Sequence, residues 1–206
     1  MGIPYVSPSV YLQNERPGSR YTVLEIKDLV QLAHENTAEF DRNHFDKFPE
    51  QYESVFLKYA KVSDVFISCH FWAPNEPVYL SEADLRVREL PLKVIGDITC
   101  DICGSIKSTL RSSTHKDPFY DYNPVTQKEE KAFSSPHNIT VMAVDTLPNA
   151  LALDTSAFFG EMLTKHVFED ILSGRINESI VIQRATILEK GRLTDHFSYL
   201  KDYALS

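Results

Sequence analysis

One stretch, Leu92–Ile106, constrains the fold more than any other part of the chain. It opens with β-branched residues around Val94 and Ile95, and this short apolar run predicts a buried strand. Two carboxylates, Asp97 and Asp101, follow the run, and a glycine-containing loop comes next. Carboxylates at the carboxyl end of a central strand are typical of the ligand-binding edge of an open α/β sheet. The alternative is a strand that ends in a solvated aspartate and a turn glycine.

Composition and charge exclude several classes of protein. The chain has 206 residues and a net charge of −8, and it contains no basic cluster, which argues against nucleic acid or an anionic membrane as a partner. No apolar run approaches the roughly 20 residues of a membrane span. The first residues, Met1–Val6, lack the charged and apolar regions of a secretory signal. We therefore expect a cytoplasmic protein of one domain or slightly more.

The three cysteines are too few for a disulfide framework, which also favours a reducing compartment. Cys100 and Cys103 form a CxxC pair, and a structural zinc site would need Cys69 and His70 as its second pair. We predict no metal and keep this set as a minor alternative. A redox role is disfavoured because the pair follows a strand, whereas thioredoxin-type pairs open a helix.

Strands and helices alternate along the chain. Apolar runs predict strands at Ile3–Val6, Tyr21–Leu24, Val65–Cys69, Val94–Ile98, Ile139–Val144 and Ala185–Leu188. Helical periodicity predicts helices from Ile26 to about Asn36, within Asn43–Tyr59, from Glu82 to Glu89 after the cap Ser81, from Thr155 to Leu172 before Gly174, and from Leu193 to Leu205. This order is typical of a doubly wound, mostly parallel α/β sheet of the Rossmann-like kind.

Two segments carry further expectations. Val65–Cys69 is nearly all apolar, so we expect it to be buried on both faces, as parallel strands are. The long polar segment Lys107–Asn138 holds three prolines and is predicted to be a functional loop.

The glycine-rich phosphate loop of dinucleotide-binding folds is missing. The sequence has seven glycines, none of them clustered, and no Gly-x-Gly-x-x-Gly. We therefore expect a sheet that lacks its first strand and phosphate loop. The predicted division is a partial dinucleotide-binding domain over 1–148, followed by a helix and closing segment over 149–206. That segment is expected to pack back on the sheet or on a missing N-terminal domain.

Several motifs follow one another in a recognisable order: Glu50–Phe56, Cys69–Trp72, Asp97–Ile106, Asp117–Tyr120, Val144–Pro148 and Ala157–Gly160. Together they resemble the carboxyl-terminal portion of lysine-forming saccharopine dehydrogenases, or lysine–ketoglutarate reductases. These are relatives of alanine dehydrogenase and of the transhydrogenase NAD-binding domain. The resemblance spans about Met1 to Tyr203.

The resemblance implies an oxidoreductase that acts on a carbon–nitrogen bond. Its substrates would be lysine, 2-oxoglutarate and saccharopine, with NAD or NADP as the cofactor. The family's first domain, with its lysine and histidine, and its glycine loop have no counterpart in this sequence. We therefore expect a carboxyl-terminal portion of a larger enzyme or a degenerate relative.

The resemblance also implies site residues, with Asp101 as the catalytic carboxylate. The implied cofactor-binding residues are Phe71, Ile98, Thr99, Asp101, Val144, Asp145, Thr146 and Leu147. Two of these residues have a stated structural alternative: Phe71, together with its neighbour Trp72, as a core aromatic, and Asp145 as a helix cap.

The choice of cofactor stays open at this point. NAD-specific folds place an acid at the end of the second strand, but here Val6 is followed by Ser7 and Pro8, with no acid until Glu15. A hydroxyl there would tolerate the 2′-phosphate of NADP.

The second functional hypothesis is a non-catalytic interaction or subunit domain, which pairs with a partner that provides the missing strand. An exposed sheet edge of this kind would also favour self-association.

Overall fold

The computed structural model of the chain describes residues 2–13, 18–34, 39–88 and 90–204. The chain divides into two units, Met1–Leu147 and Pro148–Ser206. The strands are β1 Val30–Leu32, β2 Tyr52–Ser54, β3 Val65–Ser68, β4 Val94–Asp97, β5 Phe119–Asn123, β6 Lys128–Glu130, β7 Ile139–Met142, β8 Leu188–Glu189 and β9 Arg192–Leu193. The α-helices are α1 Pro8–Gln13, α2 Ile26–Leu29, α3 Arg42–Lys47, α4 Leu57–Ala60, α5 Glu82–Leu85, α6 Ala152–Leu163, α7 Glu169–Leu172, α8 Ile180–Ala185 and α9 Lys201–Ala204.

The central sheet of the first unit has five strands in the order β3-β4-β7-β5-β6. Strand β4 pairs in parallel with both β3 and β7, whereas β5 is antiparallel to β7 and to β6. Strand β6 therefore points the same way as β7, and only β5 is reversed. The sheet is mostly parallel and has flanking helices, which confirms the predicted Rossmann-like α/β class.

The predicted strand around Val94 and Ile95 is confirmed as the buried strand β4, in which Ile95 is inaccessible to solvent. The prediction that the neighbouring strand β3 is buried on both faces was wrong. Among the described strands β3 pairs with β4 alone, and Val65 and Ile67 are 54% and 64% exposed. Its inward-facing residues are Phe66, whose ring lies 4.4 Å from that of Phe56, and the buried Ser68. An edge strand buries one face at most here, so its apolar run alone was misleading.

The prediction of one long loop over Lys107–Asn138 was wrong. This segment contains the β5–β6 hairpin, and β5 lies directly beside β7. Within it the buried Asp121 accepts hydrogen bonds from the backbone of Phe133 and Ser134 and from the Thr140 hydroxyl. Burial alone would raise the pKa of Asp121, but these hydrogen bonds together lower it.

The amino-terminal predictions were partly wrong. The two predicted strands meet only as one parallel bridge, between Tyr5 and Tyr21. The predicted helix that starts at Ile26 ends after one turn, and the chain continues as β1, which pairs antiparallel with β2. This pairing buries Val30 and Tyr52 in the core, and that tertiary gain outweighs the local helical periodicity.

The helix cap at Ser81 is confirmed, because its hydroxyl accepts from the Asp84 backbone and the Asp84 carboxylate accepts from the Ser81 backbone. In the second unit the long helix is confirmed from Ala152 to Leu172, with a π-helical turn at Thr164–Phe168. Gly174, at φ +74°, follows its end. The prediction of a strand over Ala185–Leu188 was wrong, because α8 ends at Ala185 and a short hairpin starts at Leu188.

The hydrophobic core lies in the first unit, and its buried members come from both the sheet and the amino-terminal elements. No helix among the described residues has the length and apolar character that crossing a membrane requires. Some sequence expectations concern positions that lie outside the described residues: Glu15, and the helix ends at Asn36, Glu89 and Leu205.

Candidate functional site

Three parallel strands, β3, β4 and β7, end side by side at one edge of the sheet, which we call the carboxyl edge. The register places Ser68 beside Asp97 and Gly96 beside Met142. The segments that follow these strands are residues 69–72, 98–101 and 143–147. All the residues proposed for the site from the sequence therefore follow strands that end at this one edge.

The side chains at the carboxyl edge differ in what they offer to a ligand. Phe71 is 84% exposed and Ile98 41% exposed, so both present apolar surface to solvent. The exposure of Phe71 contradicts its alternative as a core aromatic. Asp101 and Asp145 are also exposed, as is Thr146, while Thr99 and Leu147 are half-buried. Val144 is only 3% exposed, so its backbone rather than its side chain could face a ligand.

Asp97 organises the turn that carries Asp101. This carboxylate is 1% exposed. Its Oδ1 accepts from the Thr99 hydroxyl at 2.5 Å and the Thr99 backbone at 3.1 Å, and its Oδ2 accepts from the Thr109 hydroxyl at 2.6 Å. A buried carboxylate with this set of donors holds the backbone of residues 98–101 in one conformation. The sequence placed Asp97 at the ligand edge but assigned it no role in the site.

Gly104 lies against Asp101 so closely that no other residue fits. A Cβ atom at this position would lie 2.5 Å from the Asp101 Cβ and 2.9 Å from the Asp101 carbonyl oxygen. The Gly104 N–H donates to that same carbonyl oxygen at 2.9 Å. The glycine thereby permits the tight turn that presents the Asp101 side chain.

His70 connects two of the edge segments. Its Nδ1 lies 3.1 Å from the Ser68 hydroxyl and its Nε2 lies 2.8 Å from the Ser105 hydroxyl, and both serines are buried. Burial lowers the pKa of His70, against an opposing effect of Asp97 and Asp101. The ring therefore favours its neutral form and links the end of β3 to the loop after β4.

The third segment is held by the stretch of chain that leads into β5, where Ser113 forms a parallel bridge with Val144. The Ser113 N–H donates to the Ala143 carbonyl at 2.7 Å, and the Ser113 hydroxyl accepts from the Ala143 N–H at 3.0 Å. His115 Nε2 lies 2.9 Å from the Thr146 carbonyl oxygen. Neither Ser113 nor His115 was singled out from the sequence, because both lie in the segment that was predicted to be a loop.

The pKa of the Cys100 thiol reflects the negative charge at the carboxyl edge. Burial raises the pKa of the Cys100 thiol, and the carboxylates of Asp97, Asp145 and Asp101 raise it further. Carboxylates that follow two different strands, Asp101 after β4 and Asp145 after β7, thus both disfavour the thiolate of Cys100. Among the described residues no group of three or more His, Cys, Asp or Glu side chains is placed to hold a metal ion. The four-residue zinc alternative is thus not supported by the geometry.

The raised pKa leads to a prediction for alkylation by iodoacetamide at pH 8. Cys69 and Cys103 are exposed, so we expect them to react at least about tenfold faster than Cys100, which has less thiolate and less access. Tandem mass spectrometry of a time course assigns each rate. In guanidinium chloride the three rates should converge, and equal rates in the folded protein would contradict the prediction.

No protein-family model matches the chain, but a comparison with known proteins finds relatives. Alpha-aminoadipic semialdehyde synthase of Arabidopsis thaliana is 32% identical over 166 residues, covering 78% of this chain and 16% of the relative. The mitochondrial alpha-aminoadipic semialdehyde synthase of Mus musculus is 27% identical over 194 residues, covering 82% of this chain and 21% of the relative.

A shorter match is to saccharopine dehydrogenase [NAD(+), L-lysine-forming] of Schizosaccharomyces pombe. It is 26% identical over 104 residues, covering 49% of this chain and 26% of the relative. The chain thus spans about a quarter or less of the length of these relatives.

Proposed function

Since the chain belongs to the saccharopine dehydrogenase family, we propose that its carboxyl edge binds the nicotinamide half of NAD or NADP. The reaction served would interconvert saccharopine with lysine and 2-oxoglutarate. In this proposal Asp101 is the catalytic carboxylate. Phe71, Ile98, Thr99, Asp101, Val144, Asp145, Thr146 and Leu147 contact the cofactor.

One observation carries the proposal: the ends of β3, β4 and β7 lie side by side, with an exposed apolar face and two carboxylates following them. Open α/β sheets bind their ligands outside the carboxyl ends of parallel strands. The exposed Phe71 and Ile98 side chains suit one face of a flat ring. They would also exclude water from it when it is covered.

The carboxylates fit the substrate side of the reaction. A bound nicotinamide would supply the hydride acceptor or donor for the carbon–nitrogen bond of the substrate. Loss of a hydride from that carbon leaves positive charge on the bond to nitrogen, and the Asp101 carboxylate would stabilise this charge. Asp145 adds a second negative charge, which favours the binding of the cationic amino groups of lysine and saccharopine.

The residues fit the nicotinamide half of the cofactor only. No Gly-x-Gly-x-x-Gly occurs in the sequence, so the pyrophosphate has no phosphate loop of the usual kind in this chain. The role of the second unit and the cytoplasmic location remain predictions. The name of the mouse relative describes that protein as mitochondrial, so the mitochondrion is the alternative to the cytoplasm.

Hydrogen exchange of the purified chain, with and without NADH or NADPH, tests the proposal. We expect slower exchange in the ligand-bound chain at residues 98–101 and 143–147, and saturable binding in a parallel fluorescence titration. Phe71→Ala should weaken that binding at least about fivefold, because it removes the exposed ring face. Val125→Ala is the matched control, since Val125 is 82% exposed in the β5–β6 turn, away from the edge.

Asp101→Asn should reduce activity wherever the complete reaction is reconstituted, while Asp64→Asn should not. Asp64 is exposed and directly precedes β3, so it lies at the opposite edge of the sheet. Protection confined to other parts of the chain, or no binding of either cofactor, would refute the proposal.

A second candidate function is supported by the free side of β3. On that side no described strand pairs with β3, and the β3 side chains of Val65 and Ile67 are exposed. We infer that another protein, or a second copy of the chain, adds a strand beside β3. A concentration-dependent dimer in sedimentation, lost on Ile67→Lys, would favour this function, and a monodisperse monomer would count against it.

A further inference from the structure

A cavity of about 190 Å³ lies against the two-stranded ladder of β1 and β2. Residues of both strands line it, together with residues of α2 and α4 and with Glu39 and Phe40, which precede α3. None of its described lining residues belongs to the carboxyl edge. The volume is below the roughly 300 Å³ at which cavities for drug-sized ligands begin, so the ligand of this cavity must be small.

Most of the wall is apolar and is held in place by the core. Val30 and Tyr52 are only 2% and 7% exposed, and Leu32, Phe40 and Val55 are half-buried. The Phe40 ring stands edge-on to the Tyr52 ring, with 6.0 Å between the ring centres. Aromatic pairs in this arrangement keep a fixed geometry. The cavity therefore offers a preformed apolar wall, which favours a ligand with a compact apolar body.

Charged groups of both signs line the same cavity. The Lys27 ammonium is already paired, since its Nζ lies 2.7 Å from a Glu25 carboxylate oxygen. Lys58 forms no ion pair with any described residue, and its Nζ lies 5.2 Å from the centre of the Tyr59 ring. Glu39 likewise pairs with none of the residues that the structure describes. One ammonium and one carboxylate are thus available to a ligand.

We propose that this cavity binds a free α-amino acid with an apolar side chain of about the size of leucine. The side chain of the ligand packs on Leu32, Phe40 and Val55. Its carboxylate binds to the Lys58 ammonium, and its ammonium binds to the Glu39 carboxylate, both through charge-assisted hydrogen bonds.

The two opposite charges of the wall select the zwitterion. A simple carboxylate would place a like charge near Glu39, and a simple amine would place one near Lys58. A free amino acid is the small molecule that satisfies both groups at once. The inference does not rest on the proposed function, because the cavity and the carboxyl edge have no residue in common.

Calorimetric titration of the purified chain with leucine and with glycine tests the apolar part of the argument. We expect saturable binding of leucine with a Kd in the millimolar range or tighter, as is usual for so small a ligand. Glycine should bind at least about tenfold more weakly, because it has no side chain to bury. Hydrogen exchange locates the site: leucine should slow exchange at residues 30–32 and 52–55 and leave residues 98–101 unchanged.

Two leucine derivatives assign each charge to its partner. Lys58→Gln should weaken binding of leucine at least about fivefold, but it should change binding of leucinamide, which lacks the carboxylate, less than about twofold. Glu39→Gln should weaken binding of leucine by a similar factor and leave binding of N-acetyl-leucine, which lacks the ammonium, within about twofold. N-acetyl-leucine also represents the last residue of a peptide chain, so it separates a free amino acid from a peptide.

Lys61→Gln is the matched control and should keep the parent affinity for leucine. Lys61 is an exposed lysine that directly follows α4, and it lies outside the lining of the cavity. Circular dichroism checks that the variants fold, which we expect because Glu39 and Lys58 are exposed.

Several results would overturn the inference: no saturable binding of leucine, protection confined to other segments, or an unchanged affinity in both variants. The outcome is separable from that of the proposed function. Leucine-induced protection of the ladder without NADH-induced protection at residues 98–101 would remove the nicotinamide site alone. The opposite pattern would remove the amino-acid site alone.

Discussion

Replacing Asp97 by alanine should lower the free energy of unfolding of the first unit by about 3 kcal/mol. The substitution leaves the hydroxyls of Thr99 and Thr109 without the acceptor that each has in the folded chain. Because these groups are wholly or partly buried, water cannot fully replace the carboxylate. The turn that carries Asp101 should loosen at the same time, so binding of NADH at the carboxyl edge should weaken.

Urea unfolding followed by tryptophan fluorescence measures the effect of Asp97→Ala. Trp72, the single tryptophan of the chain, directly follows Phe71 and reports on the first unit. Asp101→Ala is the control, because Asp101 is exposed and its side chain should contribute less than about 0.5 kcal/mol. Equal losses of stability in the two variants would show that Asp97 does not organise the turn.

The second large effect is expected for Gly104→Ala, which should cost about 2 to 3 kcal/mol. The new Cβ would lie 2.5 Å from the Asp101 Cβ and 2.9 Å from a backbone oxygen, so the loop must move. A displacement of Asp101 by even part of an ångström should reduce cofactor or substrate binding about tenfold. The same urea titration and NADH titration measure both consequences.

Gly96→Ala provides the matched comparison within the same stretch. A Cβ at Gly96 would meet the Met142 methyl group at 3.7 Å, which is an ordinary contact. Its stability should therefore stay within about 1 kcal/mol of the parent. If Gly96→Ala proved as harmful as Gly104→Ala, the loss at position 104 could not be assigned to the contact with Asp101.

The parts of the fold that the sequence predicted well are those in which local pattern and tertiary role agree. Strand β4 is apolar because it is central, and the Ser81 cap and Gly174 act within one helical turn. The errors occur where distant pairing overrides local pattern. The helical spacing after Ile26 gives way to the β1–β2 ladder, and β5 pairs with β7 within a segment whose prolines suggested a loop.

The candidate site divides in the same way. The motifs placed Phe71, Asp101 and Asp145 after strands, and the register of the sheet is what sets those strands side by side. The supporting contacts of Asp97 with Thr109 and of His70 with Ser105 link residues 12 and 35 positions apart. Such contacts carry no periodic signal, so reasoning from a single sequence does not find them.

By itself, then, the sequence determined the α/β class, because that class follows from apolar periodicity, and it determined the order of the motifs that carry the family resemblance. Only the tertiary structure decided that β3 is an edge strand and that Asp97 is a buried carboxylate that holds the turn before Asp101. These features depend on which segments lie beside one another, and that arrangement is set by the packing of the whole core rather than by any local stretch.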